Sequence, residues 1–338
     1  MIRDTVPDLP VPTEADLALR ALPRSIVAHD THMAQVAGMN LIETGGAAPA
    51  AALALPLTVG AWNLERCLFP EAAAQKMADC DLLLLSEMDH GMARTGQRNT
   101  TGDIAGGLGM AYAYAVEFLE LGLGSPIEHA FCEDDHNARG YHGNALMAKT
   151  ALRDPFALRL WGERQWFSDD EQPRLGERIA VGATMDTEAG PLLAISTHLE
   201  SACGPEHREM QIRGLIAALD AAFPGLPVLI GGDLNTGNHN EGDWRAERLF
   251  DAAREAGFTV HGGPEDQPTT RPSLITRWPE RQMKLDWFLA RNLRLEETKI
   301  RSSLDATGRP LSDHDAIVTR ITDLTTPQRP QRPQTPET

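Results

Sequence analysis

The chain has 338 residues and 42% hydrophobic content, which supports a well-buried core and excludes a disordered protein. It carries 48 acidic and 31 basic residues, so its formal charge of −17 gives no overall attraction to nucleic acid or to an anionic membrane. A local groove with positive charge is still compatible with a negative charge of the whole chain.

The first part of the chain has the weakest pattern. Residues 1–55 combine a polar helical segment, Thr13 to Leu22, with Ala- and Gly-rich sequence, and we predict that they form an N-terminal extension. No basic segment leads into an apolar run, so we expect no secretory signal, and the apolar stretch at 45–62 is too short and Pro-broken to span a membrane. The four cysteines show no C-x-x-C spacing, which favours reduced thiols in a cytoplasmic protein.

From residue 56 onwards, short apolar runs bounded by turn residues predict many strands and a few helices. The predicted strands are LTVGAWNL, DLLLLSEM, AYAVEFLEL, GNALMAK, RIAVGATM, PLLAISTHL, LPVLIGGDL, KLDWFLARN and DAIVTRI. The predicted helices are PEAAAQKMADC, TGDIAGGLGMAYA, PEHREMQIRGLIAALDAAF and DWRAERLFDAAREAG. This proportion indicates an α+β protein with mixed sheets covered by helices. Residues 323–338 are Pro-rich and predict a disordered tail.

Polar side chains stand at or near one end of six of these strands. They are Asn63 and Glu65 after TVGAW, Glu87 after DLLLLS, His198 after LLAIST, Asp233 and Asn235 after VLIGG, Asp286 in KLDWFL, and Asp313 with His314 before DAIVTRI. A single such residue is usually a turn former or a helix cap, but six strands with this feature are difficult to explain by turn chemistry alone. Packed strands would bring these side chains to a common rim, which predicts a functional site there.

The residue types indicate the chemistry of that site. Four of the side chains are hard oxygen ligands, namely Glu65, Glu87, Asp233 and Asp313. Such ligands suit Mg²⁺ or Mn²⁺. The amides of Asn63 and Asn235 can hold a phosphate oxygen or a water molecule, and the imidazoles of His198 and His314 can supply a proton or a positive charge. Together they predict metal-assisted hydrolysis of a phosphate ester.

The order of the motifs WNLE, LLSE, GNAL, STHLE, GGDLN, LDWF and LSDHDAI resembles that of the endonuclease/exonuclease/phosphatase superfamily of deoxyribonuclease-like fold. The resemblance runs from about Leu57 to Ile321, and the pair GDLN and SDH at this separation is a specific signal. It implies a four-layer α/β/β/α sandwich of two mixed β-sheets flanked by helices, with the active site at one rim of the sheets. We therefore predict a catalytic domain at residues 56–322.

The resemblance also implies a role for each residue at the rim. The principal metal ligand would be Glu87, and the other ligands would be Asn63, Asp313 and Glu65. Glu65 stands where several family members have Asp. Its catalytic residues would be Asp233, Asn235, His198, His314, Asp286 and Asn144. In this scheme Asp233 orients or deprotonates the attacking water, Asn235 holds that water, and Asp286 fixes the tautomer of His314. His198 stabilises charge on the phosphate or the leaving oxygen.

Three arginines near these motifs are predicted to contact the substrate, although a plain loop or surface role stays open for each. Arg98 lies in a glycine-bearing loop after Glu87, Arg139 precedes GNAL, and Arg208 lies in the first turn of the helix after STHLE. Trp278 is one of four tryptophans that could stack a base or a lipid-like group, with packing as the favoured interpretation.

The sequence thus predicts a divalent-metal-dependent phosphodiesterase that acts on a phosphate ester, with nucleic acid as one candidate. A phospholipid or small-molecule phosphatase on the same fold stays open. So does a catalytically weak, metal-binding scaffold for a macromolecular partner. The sequence indicates no particular protein partner.

Overall fold

Two β-sheets pack face to face in the computed structural model, which describes residues 1–17, 25–168 and 172–325. In chain order the strands are β1 (Thr5–Val6), β2 (Ile42–Gly46), β3 (Leu57–Arg66), β4 (Leu82–His90), β5 (Ala111–Glu120), β6 (Tyr141–Ala148), β7 (Arg153–Arg159), β8 (Arg174–Gly176), β9 (Ile179–Thr187), β10 (Gly190–His198), β11 (Val228–Asp233), β12 (Thr259–His261), β13 (Asp286–Arg291), β14 (Leu293–Leu295), β15 (Lys299–Arg301) and β16 (Ala316–Leu324). The α-helices are α1 (Glu14–Leu17), α2 (Ile26–Gln35), α3 (Pro70–Lys76), α4 (Thr100–Leu108), α5 (Pro205–Ala222) and α6 (Leu249–Glu255).

The two sheets differ in size. Within the described residues, the first has ten strands in the order β1-β2-β5-β6-β4-β3-β16-β14, with β8 beside β5 and β15 beside β16. The second has six strands in the order β12-β13-β11-β10-β9-β7. Both sheets contain parallel and antiparallel pairs, so both are mixed.

Apolar side chains on alternate positions of the strands build the layers. Leu84 of β4, Leu229 of β11 and Phe288 of β13 belong to the core between the sheets. Their neighbours point outwards: Leu85 joins a core with α3 and α4, and Ile230 joins a core with α5 and α6. Both faces of the central strands are therefore buried, and the predicted four-layer α/β/β/α sandwich is confirmed.

The helices follow local signals in the sequence. Helix α5 begins with Pro205 in its first turn, and its buried residues Ile212, Leu215, Ile216 and Leu219 recur at helical spacing. The helix predicted over TGDIAGGLGMAYA ends earlier than expected, at Leu108, because Gly109 adopts a left-handed conformation with φ 63° and terminates it. Strand β5 then starts at residue 111.

Residues 1–55, predicted as an N-terminal extension, contribute to the first sheet. Strand β2 pairs antiparallel with β5, and β1 pairs parallel with β2. Residues 18–22 of the predicted helical segment Thr13–Leu22 lie outside the described residues, as do residues 326–338 of the predicted tail. Strand β16 continues as far as Leu324.

No helix in the described ranges is long and apolar enough to cross a membrane.

The pairing of the strands explains why polar residues from distant parts of the chain meet. Strands β10 and β11 run parallel, so that His198 and Asp233 end them side by side. Strand β13 runs antiparallel to β11, and its first residue, Asp286, pairs with Asp233. Strand β16 is likewise antiparallel to β3, so the segment before it lies at the end of β3. One rim therefore collects the ends of some strands and the beginnings of others.

Candidate active site

The carboxylate of Asp233 is the centre of the site. Its Oδ2 atom accepts a hydrogen bond from Asn63 Nδ2 at 3.0 Å and lies 3.6 Å from His198 Nε2 and 3.6 Å from His314 Nε2. Asp233 is 2% exposed. An amide and two imidazoles from three other strand ends thus converge on one carboxylate oxygen.

The glycines before Asp233 permit this close packing. A Cβ atom at Gly231 would lie 2.7 Å from side-chain atoms of Leu84 and Phe288, which belong to the core between the sheets. Gly232 has φ 142°, and a Cβ there would lie 2.0 Å from the carbonyl oxygen of Thr197. Any larger residue at either position would push β11 away from its neighbours, so the glycines fix where Asp233 stands.

The turn after β11 holds Asn235 beside Asp233. Asn235 donates its backbone N–H to Asp233 Oδ1 at 2.8 Å, and its side-chain amide donates to the carbonyl of Leu199 at 2.9 Å. The Oδ1 atom of Asn235 accepts a hydrogen bond from Asn238 Nδ2 at 2.7 Å. These bonds fix the orientation of both side chains.

His314 is held on two sides. Its Nδ1 atom lies 2.8 Å from Asp286 Oδ2, and its backbone carbonyl accepts a hydrogen bond from Trp62 Nε1 at 2.8 Å. Burial lowers the pKa of His314, but the carboxylates of Asp286, Asp233 and Asp313 outweigh that effect and raise the pKa well above its ordinary value. This shift favours the positively charged imidazole, whose Nε2 atom lies 3.6 Å from Asp233 Oδ2.

His198 has a carboxylate partner of its own. Its Nδ1 atom lies 3.3 Å from Glu117 Oε2, and the guanidinium of Arg178 is 3.0 Å from the ring. Burial raises the pKa of Glu117, but His198 and Arg178 together lower it to about 2. Glu117 is thus ionised and orients both groups.

Glu87 lies on the other side of Asn63. Its Oε1 atom accepts a hydrogen bond from Asn63 Nδ2 at 3.0 Å, and its Oε2 atom contacts the guanidinium of Arg66. His142 Nε2 is 3.8 Å from the same oxygen, and its Nδ1 lies 2.9 Å from Asp89. Burial raises the pKa of Glu87, but Arg66 and His142 lead the interactions that bring it well below its ordinary value.

Glu65 and Asp313 complete the acidic part of the site. Glu65 Oε2 accepts the backbone N–H of Asp313 at 3.0 Å, and its Oε1 accepts a hydrogen bond from Ser273 Oγ at 2.7 Å. Burial, and then the charge of Asp313, raises the pKa of Glu65 well above its ordinary value. Burial also raises the pKa of Asp313, to about 6. Two carboxyl groups are thus crowded in a buried place where ionising both is unfavourable.

These donors fit a divalent cation such as Mg²⁺ or Mn²⁺. The potential ligand atoms are carboxylate oxygens and the amide oxygen of Asn63, which also accepts the backbone N–H of Glu65 at 3.0 Å. Hard cations prefer oxygen ligands of this kind. The raised pKa values of Glu65 and Asp313 reflect burial and neighbouring negative charge, and a nearby dication opposes both effects because it stabilises the ionised forms. Arg66 already places one positive charge against Glu87, so a metal ion there has to share this carboxylate with the guanidinium.

A second group of potential ligands lies outside this site. One ligand atom each from Asp8, Glu43 and His90 falls within 4.8 Å of the others. Glu43 already accepts hydrogen bonds from the backbone N–H of Leu9 and from the side chain of Tyr112. The group shares no residue with the predicted metal ligands.

The site opens into a cleft of about 850 Å³. Among the described residues, six arginines line the cleft, namely Arg66, Arg174, Arg178, Arg271, Arg277 and Arg281. The described carboxylates that line it are Glu87, Asp233, Glu241 and Asp313. Although the whole chain carries a charge of −17, its active-site cleft is rich in guanidinium groups, which suit an anionic ligand.

The three arginines predicted to bind substrate lie elsewhere, and we correct that prediction. Arg98 pairs with Glu71 and Asp103, and Arg139 with Asp8. Arg208 is completely buried, where its guanidinium binds Glu247 and the carbonyl of Asn238. None of the three is among the described residues that line the cleft. Each guanidinium group already pairs with an acidic side chain that is distant in the sequence or was not expected as its partner.

Asn144 also differs from its expected place. Its Nδ2 atom donates to the carbonyl of Ile179 at 2.7 Å, which links β6 of the first sheet to β9 of the second. Asn144 is fully buried and does not belong to the described lining of the cleft. Its contacts are those of a residue that joins the two sheets.

The sequence prediction missed Arg66, His142, Glu117 and the remaining cleft arginines. Two of these had a usable signal, because Arg66 follows WNLE directly and His142 stands two residues before Asn144 on the same strand. Arg174 and Arg178 border the short strand β8, and Arg271, Arg277 and Arg281 lie in the loop before β13. Only the fold brings those loops to the rim.

Comparison with known proteins identifies related families and folds. The sequence model of the Endonuclease/Exonuclease/phosphatase family matches residues 60–314. A solved structure of an endonuclease/exonuclease/phosphatase from Beutenbergia cavernae is similar at a TM-score of 0.56 and 17% identity, covering 80% of this chain and 72% of that chain. The human Nocturnin catalytic domain with bound sulfate anion gives a TM-score of 0.54 at 18% identity, covering 83% and 96%. No curated protein sequence matches the chain.

Proposed function

Because this chain belongs to the Endonuclease/Exonuclease/phosphatase family, and is therefore a hydrolase-type enzyme, we propose that it hydrolyses phosphodiesters with the help of Mg²⁺ or Mn²⁺. The observation that carries this proposal is the convergence on Asp233. The Asn63 amide and the imidazoles of His198 and His314 surround its Oδ2 atom at 3.0 to 3.6 Å. A buried carboxylate held in this way is suited to position a water molecule next to an anionic substrate.

The residues that would hold the metal ion are Glu87, Asn63, Asp313 and Glu65. When bound, the ion neutralises charge on the non-bridging oxygens of the phosphate, which otherwise repel a nucleophile. Glu87 is the principal ligand in this proposal because its low pKa keeps it ionised over the whole physiological range. Asp313, with a pKa of about 6, is largely ionised at neutral pH.

Asp233 orients the attacking water and accepts its proton. Its Oδ1 atom accepts the N–H of Asn235, and we assign the water to Oδ2, the oxygen that faces the two imidazoles. Asn63 and Asn235 fix the carboxylate so that the water lies in line with the leaving oxygen. The proton passes from the water to Asp233 Oδ2 as the new P–O bond forms and the bond to the leaving oxygen breaks.

The two imidazoles stabilise the negative charge that develops on the phosphate. His314 is protonated and donates from Nε2, while Asp286 holds its Nδ1–H. His198 pairs with Asp233 across β10 and β11, and it is supported by Glu117 and Arg178. Preorganised donors of this kind typically lower the barrier by roughly 2.7 to 4 kcal/mol each.

The test is release of nitrophenol from bis(p-nitrophenyl) phosphate in the presence of Mg²⁺, Mn²⁺ or EDTA. Turnover should require a metal ion and should fall about a hundredfold or more in Asp233→Asn and in His314→Ala. Asp251→Asn is the matched control, because it makes the same chemical change at an exposed position on α6. Folded protein that gives no turnover with either metal, or turnover that Asp233→Asn retains, would contradict the proposal.

A further inference from the structure

The segment 270–283, which we call the Trp278 loop, has no role in the chemistry described above and yet lines the same cleft. We infer that the loop is a platform on which an unpaired nucleobase stacks, so that the substrate is single-stranded nucleic acid. This inference rests on the proposed phosphodiester hydrolysis and names its substrate class.

The Trp278 loop is hydrogen-bonded to two of the proposed metal ligands. Arg271 donates its backbone N–H to the carbonyl of Asp313 at 2.8 Å, and Ser273 donates its hydroxyl to Glu65 at 2.7 Å. Met283 N–H donates to Thr270 Oγ1 at 2.7 Å and closes the loop. A ligand on this loop is therefore held at a fixed position relative to the predicted metal ligands.

The tip of the loop presents an aromatic ring and cationic groups to the cleft. Trp278 is 60% exposed, although a large indole is normally well covered in a folded protein. The guanidinium of Arg281 stacks on this ring, with its central carbon 4.8 Å from the ring centroid. Arg277 lines the cleft beside them. An indole next to guanidinium groups is suited to stack a base and to neutralise the adjacent phosphate.

A similar pair lies on the His198 side of the cleft. Trp166 lines the cleft there, with the guanidinium carbons of Arg174 and Arg178 at 5.5 and 5.4 Å from its ring. Arg178 also contacts His198. The cleft thus carries an indole with guanidinium groups on the Asp313 side and another on the His198 side. A strand of nucleic acid, with its alternating bases and phosphates, matches this arrangement.

The charge distribution favours a single strand over the other phosphodiesters. A duplex hides the faces of its bases and presents phosphates across a wide surface, which a protein of charge −17 opposes outside the cleft. A lipid headgroup supplies a phosphate but no flat ring for Trp278. Leu274, exposed on the same loop, is the residue that a membrane would use instead, and the experiment below includes that possibility.

Binding of a fluorescein-labelled dodecathymidylate, followed by anisotropy in EDTA, tests the inference without turnover. Trp278→Ala should weaken binding about 5- to 150-fold, and Trp278→Phe should retain most of it. Arg281→Gln should lower the slope of log affinity against log salt concentration by about 0.7. Trp161→Ala, which removes a 51% exposed tryptophan from outside the described cleft lining, is the matched control and should bind as the wild type does.

Three results would overturn the inference. The first is equal binding by wild type and Trp278→Ala, and the second is no binding of the oligonucleotide by wild type. The third is that Trp278→Ala loses co-sedimentation with vesicles of phosphatidylcholine and phosphatidylserine while it keeps its affinity for the oligonucleotide. Turnover of bis(p-nitrophenyl) phosphate by the same preparations separates these results from failure of the proposed hydrolysis, because binding in EDTA does not depend on catalysis.

Discussion

The Nδ1 atom of His314 and the Oδ2 atom of Asp286 are 2.8 Å apart, and both side chains are buried. Asp286 begins strand β13, whereas His314 lies just before β16. The pair therefore connects the second sheet with the first at the rim. It is both a structural link and the reason that the imidazole presents Nε2 to Asp233.

Replacing Asp286 with Asn should lower turnover about a hundredfold or more. The amide no longer stabilises the protonated imidazole, so the pKa of His314 should fall. If the protonated form is the active one, the alkaline limb of the pH–rate profile then moves to lower pH. A profile measured on bis(p-nitrophenyl) phosphate checks both effects. An unchanged alkaline limb would show that His314 does not act as the charged donor.

Glu87→Gln should reduce Mg²⁺ affinity, measured by calorimetric titration, about tenfold or more, because even indirect partners of metal ligands contribute on the order of tenfold. The matched control is Glu43→Gln, which alters the cluster of Asp8, Glu43 and His90. That variant should bind Mg²⁺ as the wild type does. If Glu43→Gln lost Mg²⁺ affinity and Glu87→Gln kept it, the metal ion would lie at the cluster of Asp8, Glu43 and His90 and not at the catalytic rim.

Arg208→Ala should destabilise the fold by about 3 to 5 kcal/mol in urea denaturation, because it leaves Glu247 buried without its charged partner. Glu247 also accepts the backbone N–H of Gly237 at 2.7 Å, so the loop after Asp233 depends on this pair. A variant of unchanged stability with a raised KM would instead support the original prediction that Arg208 binds substrate.

Glu177 makes stability depend on pH in a definite direction. Burial raises its pKa from 4.5 to about 7. Because the folded protein holds this proton more tightly, the contribution to stability is complete below about pH 4.5 and is lost as the pH rises to 7. At 1.36 kcal/mol for each pH unit, the loss is about 3 kcal/mol.

Glu177→Gln cannot ionise and keeps an oxygen for the backbone N–H of Arg164, which Glu177 Oε1 accepts at 2.8 Å. The unfolding free energy of the variant relative to wild type should therefore increase by roughly 3 kcal/mol between about pH 5 and about pH 8. Urea denaturation of both proteins at the two pH values measures this. A difference that does not change with pH would contradict the buried, proton-binding state of Glu177.

All nine predicted strands are present, because each is a long apolar run that the sandwich buries on one face or both. The strands β1, β2, β7, β8, β12, β14 and β15 were not predicted. Five of them, all except β2 and β7, have only two or three residues, which carry no periodic signal. The left-handed backbone conformation of Glu65 and Glu87, with φ 43° and 58°, could not be predicted either. Both residues lie where the register between neighbouring strands shifts. Tertiary packing imposes the left-handed conformation there, although glutamate ordinarily avoids it.

Most acidic and histidine residues of the site were predictable because they directly adjoin strands, and strand ends meet at a rim. Glu117 and His142, which lie on β5 and β6, were missed. The cleft arginines were not, because Arg271, Arg277 and Arg281 extend from a loop whose course is set by its bonds to Asp313 and Glu65. Charged residues in loops are usually solvated, so sequence alone gives no reason to choose these over Arg98 or Arg139.

The contribution of residues 1–55 to the first sheet affects how the enzyme can be shortened. Strand β2 covers one side of β5 through residues 42–46. A fragment that starts at residue 56, or where the family match begins at 60, would leave a row of peptide N–H and C=O groups of β5 open to other chains. Such an uncapped edge is a template for association between molecules. Truncation to the recognisable family region would therefore favour aggregates over a well-behaved minimal enzyme.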